Sequence, residues 1–164
     1  MRLLPIVIAL FAGSTATAGT VIAKDLKTGI GLGGGAMVNG LTAKQYLSED
    51  FAVQAHLGAV GLGLAVGADA ILPQAKLWEG PGATIHWGYG AGAGVWFYNV
   101  GIYGRGQLLD ISGIVEATLR LKKYPIEFSA DFRPGFLLGL GAYSGTAYSG
   151  FHIDAGGGAV RWFF

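Results

Sequence analysis

The sequence predicts an all-β protein: a closed antiparallel transmembrane β-barrel of about eight strands with up-and-down topology. Apolar and polar residues alternate with period two in many segments, as strands with two different faces require. The chain is 52% hydrophobic and has 30 glycines, yet beyond its N-terminal segment it has no apolar run of the ~18 residues that a spanning helix needs. It also ends on the aromatic sequence Arg161-Trp162-Phe163-Phe164.

Residues 1–18 resemble a secretory signal peptide of the Sec type. Arg2 is followed by an apolar run to Ala12, and Ala16-Thr17-Ala18 places small residues at −3 and −1 of a cleavage site. The mature barrel domain is therefore expected to comprise residues 19–164.

Composition excludes several classes of protein. Without Arg2 the basic and acidic side chains are equal in number, ten each, so nucleic acid is not an expected partner. The chain has no cysteine, which excludes disulfides and thiolate metal sites.

In the first half of the chain, Asn39-Gly40 is the dipeptide favoured in hairpin turns. It predicts a first strand over 28–37 and a second over 41–47. The third strand begins at Phe51 after the polar turn 48–50, and the fourth includes the alternating segment 64–70.

The fifth strand is predicted over 84–98 and the sixth over 110–121, where alternation is almost complete. Pro125 interrupts the pattern because proline cannot donate to a ladder. The seventh strand then begins at Ile126 and is expected to bend at Pro134-Gly135, and the eighth runs to the C-terminus after a loop near 139–150.

Three features favour a barrel whose outer face contacts lipid over a soluble barrel. Val160, Trp162 and Phe164 resemble the C-terminal strand signal of outer-membrane barrels. Aromatic residues cluster near predicted strand ends, as in the interfacial girdles of such proteins: Trp96, Phe97, Tyr98, Tyr143, Tyr148 and Phe151 at one rim, and Tyr46, Tyr124, Trp162 and Phe164 at the other. Charges of both signs occupy the predicted inward positions Lys44, Asp69, Glu116, Arg120, Glu127, Asp131, Arg133 and Arg161.

The predicted interior is filled rather than open. Eight strands enclose a space just wide enough for side chains, and closure leaves no unpaired edge in lipid. The inward charges are therefore expected to pair across a plugged lumen, and glycines at 88, 90, 92 and 94 are expected to make room for them.

The segment Gly40-Leu-Thr-Ala-Lys-Gln-Tyr-Leu-Ser-Glu49 resembles a family of small, mostly uncharacterised bacterial outer-membrane β-barrel proteins, which have a strand of the type GLxxKYWLSE. Ala68-Asp69, the segment from Pro125 to Gly135 and the ending from Asp154 to Phe164 also match, whereas Gln45 replaces a usual aromatic. The resemblance implies an eight-stranded barrel in the bacterial outer membrane, with no known catalytic activity.

Neither a cofactor nor a metal is expected. Gly31-x-Gly33-x-x-Ala36 matches a dinucleotide fingerprint, but it runs into a predicted hairpin instead of a helix. His56, His86 and His152 lie on different strands, never at metal-ligand spacing.

An enzyme is the first alternative. Some eight-stranded outer-membrane barrels modify lipids with His, Ser and an acidic residue, and Ser149, His152 and Asp154 offer these side chains. However, His152 and Asp154 share the parity of outward Phe164, which predicts that they lie at the outer rim. We therefore expect no enzymatic activity.

A narrow channel through the charged lumen and a secreted soluble β-barrel are further alternatives. The expected role is structural or interactive, in the bacterial outer membrane. Outer-membrane lipids, and the barrel-assembly machinery during insertion, are the expected partners, and the residues identify no physiological ligand.

Overall fold

The computed structural model describes residues 28–35, 39–48, 51–60, 63–99, 105–140 and 149–164. These residues form a closed barrel of eight antiparallel strands in which each strand pairs with its neighbours in the sequence. The predicted all-β class, the closed antiparallel barrel of eight strands and the up-and-down topology are confirmed. The strands are β1 (Thr28–Gly34), β2 (Asn39–Tyr46), β3 (Ala52–Val60), β4 (Gly63–Glu79), β5 (Ala83–Asn99), β6 (Arg105–Leu121), β7 (Ile126–Leu140) and β8 (Ser149–Phe163).

Pairing between the first and last strands closes the sheet. Gly29 lies opposite Phe163 and Gly33 opposite Ala159, and the Phe164 backbone N–H donates to the Thr28 carbonyl at 2.9 Å. Each strand therefore has two partners, so the sheet has no free edge to protect. The predicted signal peptide at 1–18 lies outside the described residues.

Strand β6 shows most clearly which side chains face the interior. Glu116 and Thr118 are 1% and 2% exposed, whereas the alternating Ile111 and Val115 are 52% and 48% exposed. Side chains on one strand alternate between the two faces of a sheet. The interior is therefore polar and charged, and the outer surface is apolar.

The first hairpin differs from its prediction. Asn39 and Gly40 are part of β2, paired with Ala59 and Gly58 of β3, so they do not form the turn. Asn39 contributes through its side chain, because Oδ1 accepts from the Gly35 N–H at 3.2 Å and Nδ2 donates to the Gly35 carbonyl at 3.1 Å. An Asn side chain that binds nearby backbone replaces the expected positive-φ dipeptide.

The seventh and eighth strands also depart from the prediction. Strand β7 continues through Pro134 and Gly135, which pair with Ile153 and His152. The irregularity is instead a register shift between Asp131 and Phe132, in the pairing with β8. A bulge of this kind inserts one extra residue and reverses which face later side chains occupy.

Two predicted girdle aromatics lie inside the barrel. Tyr46 binds the buried Glu127, and Trp96 lines the interior cavity described below. Tyr143 and Tyr148 fall outside the described residues. Within the described ranges there is no helix of the length and apolarity needed to cross a membrane.

Candidate functional site

The half of the lumen nearest Phe163 contains a group of charged side chains, which we call the base cluster: Lys44, Tyr46, Glu116, Arg120, Glu127 and Arg161. At its centre, Lys44 Nζ lies 2.5 Å from Glu116 Oε1 and 3.1 Å from Glu127 Oε1. All three side chains are at most 1% exposed. Burial of an ion is costly unless it is paired, and Lys44 meets this requirement with two carboxylates.

Glu127 gathers most of the donors in the base cluster. Besides Lys44, it accepts hydrogen bonds from the Tyr46 hydroxyl at 2.5 Å and from Arg120 Nε at 3.1 Å. Arg161 Nη1 adds a longer contact of 3.4 Å. Arg120 and Arg161 reach it easily because they lie directly opposite Glu127 on the two neighbouring strands.

Arg161 fixes the position of several neutral side chains. Its Nε and Nη2 donate to Thr42 Oγ1 at 3.1 and 3.0 Å, its Nη1 donates to Ser129 Oγ at 2.9 Å, and its Nη2 also donates to Gln54 Oε1 at 3.0 Å. The guanidinium fork can satisfy several acceptors at once in a fixed geometry. Arg161 is therefore anchored to three strands in addition to its own.

Aromatic rings lie beside the base cluster at the end of the barrel that carries Phe163. The Phe163 ring lies 5.6 Å from that of Tyr46, and the Arg120 guanidinium lies 4.4 Å from the Tyr46 ring centroid. A cation within about 6 Å of an aromatic face is attracted to it. The rings of Tyr46 and Phe163 therefore fill the end of the lumen next to the base cluster, and the Tyr46 ring helps to hold the Arg120 guanidinium in place.

The other half of the lumen contains a second group, the mouth cluster: His56, Asp69, Asp110, Asp131, Arg133 and His152. Arg133 donates to both oxygens of Asp69 at 3.0 and 2.9 Å and to both oxygens of Asp131 at 3.0 and 3.1 Å. Two paired bonds to each carboxylate are the geometry that makes arginine pairs strong. Arg133 therefore clamps β4 to β7 across the lumen.

Each histidine of the mouth cluster lies against a carboxylate. His56 Nε2 is 2.7 Å from Asp69 Oδ2, and His152 Nε2 is 2.7 Å from Asp110 Oδ1. Asp110 also accepts from Ser112 Oγ at 3.1 Å. The predicted outward parity of His152 is wrong, since the bulge in β8 reverses it and turns the side chain into the lumen.

Gln54 connects the two clusters. Its Nε2 donates to Asp69 Oδ2 at 3.0 Å in the mouth cluster, while its Oε1 accepts from Arg161 in the base cluster. Gln54 is 2% exposed. One neutral amide thus completes a continuous hydrogen-bonded network through the interior.

A cavity of about 50 Å³ adjoins the mouth cluster. It extends from Asp69, Asp131 and Arg161 to the glycines at the β1–β2 hairpin, Gly33 to Gly35 and Gly40. A cavity needs roughly 10–15 Å³ to hold one water, whereas small-molecule pockets measure about 300–1,000 Å³. It has room for a few waters or a small ion.

Glycines on the inward face give the charged side chains their space. A Cβ at Gly92 would collide with Asp69 Oδ1, and a Cβ at Gly157 would collide with Asp131 Oδ1. Gly88 lies opposite Glu116 and is buried. The small inward residues of β5 and β8 therefore leave the room that the carboxylates on neighbouring strands occupy.

The structure places all eight predicted lumen charges in the interior and divides them between the two clusters. Lys44, Glu116, Arg120, Glu127 and Arg161 meet in the base cluster, and Asp69, Asp131 and Arg133 meet in the mouth cluster. Of the predicted C-terminal signal residues, Val160 and Trp162 are 47% and 55% exposed and point outward, and Phe164 is half-buried.

Sequence reasoning missed the uncharged members of the network and one carboxylate. Gln54, His56 and Asp110 stand at the inward parity of their strands, as do Thr42, Tyr46 and Ser129, so the alternation that marked the charges could also have marked them. The alternation could not have marked His152 as an inward residue, because its face depends on the bulge in β8.

Two buried oxygens in the base half have no hydrogen-bond partner among the described residues. They are Glu116 Oε2 and Thr118 Oγ1, which stand two residues apart on the inward face of β6. Buried polar atoms are nearly always satisfied, so each exception calls for an explanation. Glu116 therefore has unused capacity to accept a hydrogen bond.

The described residues give little support to the candidate catalytic set of Ser149, His152 and Asp154 or to a metal site. His152 contacts Asp110, and the side chains of Ser149 and Asp154 lie outside what the structure describes. In the same part of the chain, no three His, Asp or Glu side chains are grouped so as to hold a metal ion.

Comparison with models of known families, with curated proteins and with solved structures finds no match to this chain.

Proposed function

We propose that this chain is a small outer-membrane β-barrel protein with a charge-paired, largely plugged lumen. The observation that carries the proposal is the inverted distribution of side chains, with ions inside and large apolar groups outside. An apolar outer surface around a polar interior is the arrangement of barrels whose outer face contacts lipid.

The outer surface is too apolar for a typical soluble monomer. Among the described residues, 24 large apolar or aromatic side chains are more than a third exposed, including Leu32, Ile111, Phe136 and Ile153. Soluble monomers rarely expose contiguous apolar patches larger than a few hundred Å². Here such side chains come from all eight strands, which supports a continuous lipid-facing band.

Charges mark the edge of this band near the turns that join β4 to β5 and β6 to β7. Lys122 Nζ donates to Glu79 Oε1 at 2.7 Å, and Lys76 also pairs with Glu79. Hydrogen bonds from Lys122 and Lys76 lower the pKa of Glu79 to about 2. Strand β4 has 17 residues, more than the ~9–11 that a tilted strand needs to cross a bilayer, so its charged end is expected to lie in water.

The proposed partners are outer-membrane lipids and, during insertion, the barrel-assembly machinery. We propose a structural or interactive role rather than a catalytic one. The test is His152→Ala, with the lipid profile of a producing strain as readout. An unchanged profile is expected, and an altered one would favour a lipid-modifying enzyme.

The location is tested by fractionation of cells that produce the full chain. We expect the protein in the detergent-extracted outer membrane, with a mobility in gels that changes on heating, because closed barrels resist detergent until heated. Recovery of the folded protein from the soluble periplasmic fraction would overturn the proposal.

A further inference from the structure

Four charged side chains form a patch outside the lumen, which we call the basic rim: Lys76, Glu79, Lys122 and Lys123. Two of the lysines share Glu79, since Lys122 Nζ donates to Oε1 at 2.7 Å and Lys76 pairs with Oε2. Lys123 makes no salt bridge with a described carboxylate, and its Nζ lies 5.6 Å from the Tyr124 ring centroid. Three cations against one anion leave the basic rim with a net charge of +2.

Contacts between two turns bring these lysines together. Lys76 stands near the end of β4, and Lys122 directly follows β6. The Lys122 backbone N–H donates to the Gly82 carbonyl at 2.9 Å, which ties the turn after β6 to the turn after β4. The side chains of Lys76 and Lys122 are 52% and 38% exposed. The ammonium groups are therefore accessible from outside the barrel.

Exposed aromatic rings place the basic rim at the depth of lipid headgroups. Trp78 and Tyr124 are 50% and 49% exposed and adjoin Glu79 and Lys123 in the sequence. A Cβ at Gly80 would collide with the Trp78 ring, so this ring lies against the turn after β4. Tryptophan and tyrosine are enriched where a membrane meets water, and lysine stems can lie along apolar surface while the ammonium stays in water.

The basic rim has no counterpart in the rest of the described chain. Every other Asp, Glu, Lys or Arg side chain that the structure describes belongs to one of the two lumen clusters. The basic rim lies at the end with the short connections 80–82 and 122–125, whereas the longest connection between strands, 141–148, is at the other end. Short turns of outer-membrane barrels face the periplasm, so the basic rim is expected in the periplasmic leaflet, which consists of phospholipids.

Charge complementarity favours lipids with a net negative charge over zwitterionic ones. Lysine binds phosphate as a point charge, and basic side chains near a membrane surface attract anionic lipids. The pairs with Glu79 do not prevent this, because exposed ion pairs contribute little stability and a headgroup phosphate can replace the carboxylate.

We propose that the basic rim binds the phosphate headgroups of anionic phospholipids through Lys76, Lys122 and Lys123. Glu79 competes with the phosphate for two of these lysines and so limits the affinity. This inference rests on the proposed function, since it needs a barrel that spans a membrane.

The test is native mass spectrometry of the refolded full chain, released from detergent micelles that contain equal amounts of phosphatidylglycerol and phosphatidylcholine. The ratio of the two lipid adducts on the folded protein measures the preference for the anionic headgroup. Wild type is expected to retain about fivefold more phosphatidylglycerol, because each basic side chain near a membrane surface contributes an attraction of about that factor.

Substitutions in the basic rim should move this ratio in both directions. Lys123→Gln removes one cation without breaking a described salt bridge and should lower the ratio by about threefold or more. Glu79→Gln removes the competing carboxylate and should raise it by about twofold or more. Arg105→Gln changes the net charge as Lys123→Gln does, but at the first position of β6, at the opposite end of the barrel. It is the matched control and should leave the ratio unchanged.

Heat-modifiable mobility of every variant verifies that it is folded. Equal retention of the two lipids by folded wild type, or the same fall in Arg105→Gln as in Lys123→Gln, would overturn the headgroup site and leave the membrane barrel intact. A lower ratio in Glu79→Gln would overturn the competition between Glu79 and phosphate. Failure of the wild-type chain to insert into phosphatidylcholine vesicles would instead refute the proposed function.

Discussion

Arg161 donates to the side-chain oxygen of Gln54 at 3.0 Å, and this bond joins the two halves of the charged interior. The other end of the same amide donates to Asp69. Gln54 is neutral, yet both of its partners are charged. Hydrogen bonds to charged groups are worth about 1.5–3 kcal/mol, more than bonds between neutral groups.

Replacement of Gln54 is therefore expected to destabilise the barrel. Gln54→Leu should lower the free energy of unfolding by about 1.5–3 kcal/mol, because Asp69 and Arg161 each lose a buried partner. Urea unfolding in lipid vesicles measures the change. Gln45→Leu is the matched control, since Gln45 stands at the outward parity of β2. Equal losses in the two variants would show that the bridge contributes nothing.

The Lys44–Glu116 pair gives a second prediction, which concerns rescue. Lys44→Met should cost about 3–5 kcal/mol, since Glu116 becomes a buried carboxylate without its cation. The double variant Lys44→Met/Glu116→Leu should recover most of that loss, because no unpaired charge remains. Unfolding free energies of the four proteins form a double-mutant cycle. Additive single effects in this cycle would contradict the pairing.

The inward glycines give a third prediction. Gly92→Ala should destabilise the barrel by about 1–3 kcal/mol, the usual cost of overpacking. The added methyl group would press on Asp69, which His56, Gln54 and Arg133 hold in place. Gly82→Ala is the control, since a Cβ there meets nothing within 4 Å, and it should change stability by less than about 0.5 kcal/mol. If Gly92→Ala leaves the free energy of unfolding unchanged, the Asp69 carboxylate is free to move away from the added methyl group.

Much of the barrel could be predicted from local pattern. The alternation of Val115 with Glu116 indicates a strand and its two faces without knowledge of any other strand, because the faces of a strand differ with period two. The same pattern repeated along the chain indicates the number of strands. The first turn was misplaced because Asn39 has two ways to form a turn, through its backbone or through its side chain.

The contacts within the interior could not be predicted in the same way. Lys44 meets Glu116 across the lumen and 72 residues away in sequence, which depends on the tilt and stagger of all eight strands. His152 was placed on the wrong face because one extra residue in β8 is invisible to a period-two count. Alternation shows which side chains point inward, but it does not show which of them touch.

The most direct test of the central claim asks which medium meets the outer face. The chain has no cysteine, so Val115→Cys gives a single site for a spin label on the outward face of β6. In vesicles refolded with this variant, we expect strong relaxation of the label by oxygen, which concentrates in lipid, and little by a water-soluble nickel complex. A label at residue 115 that is readily reached by the nickel complex in a correctly folded barrel would contradict the account.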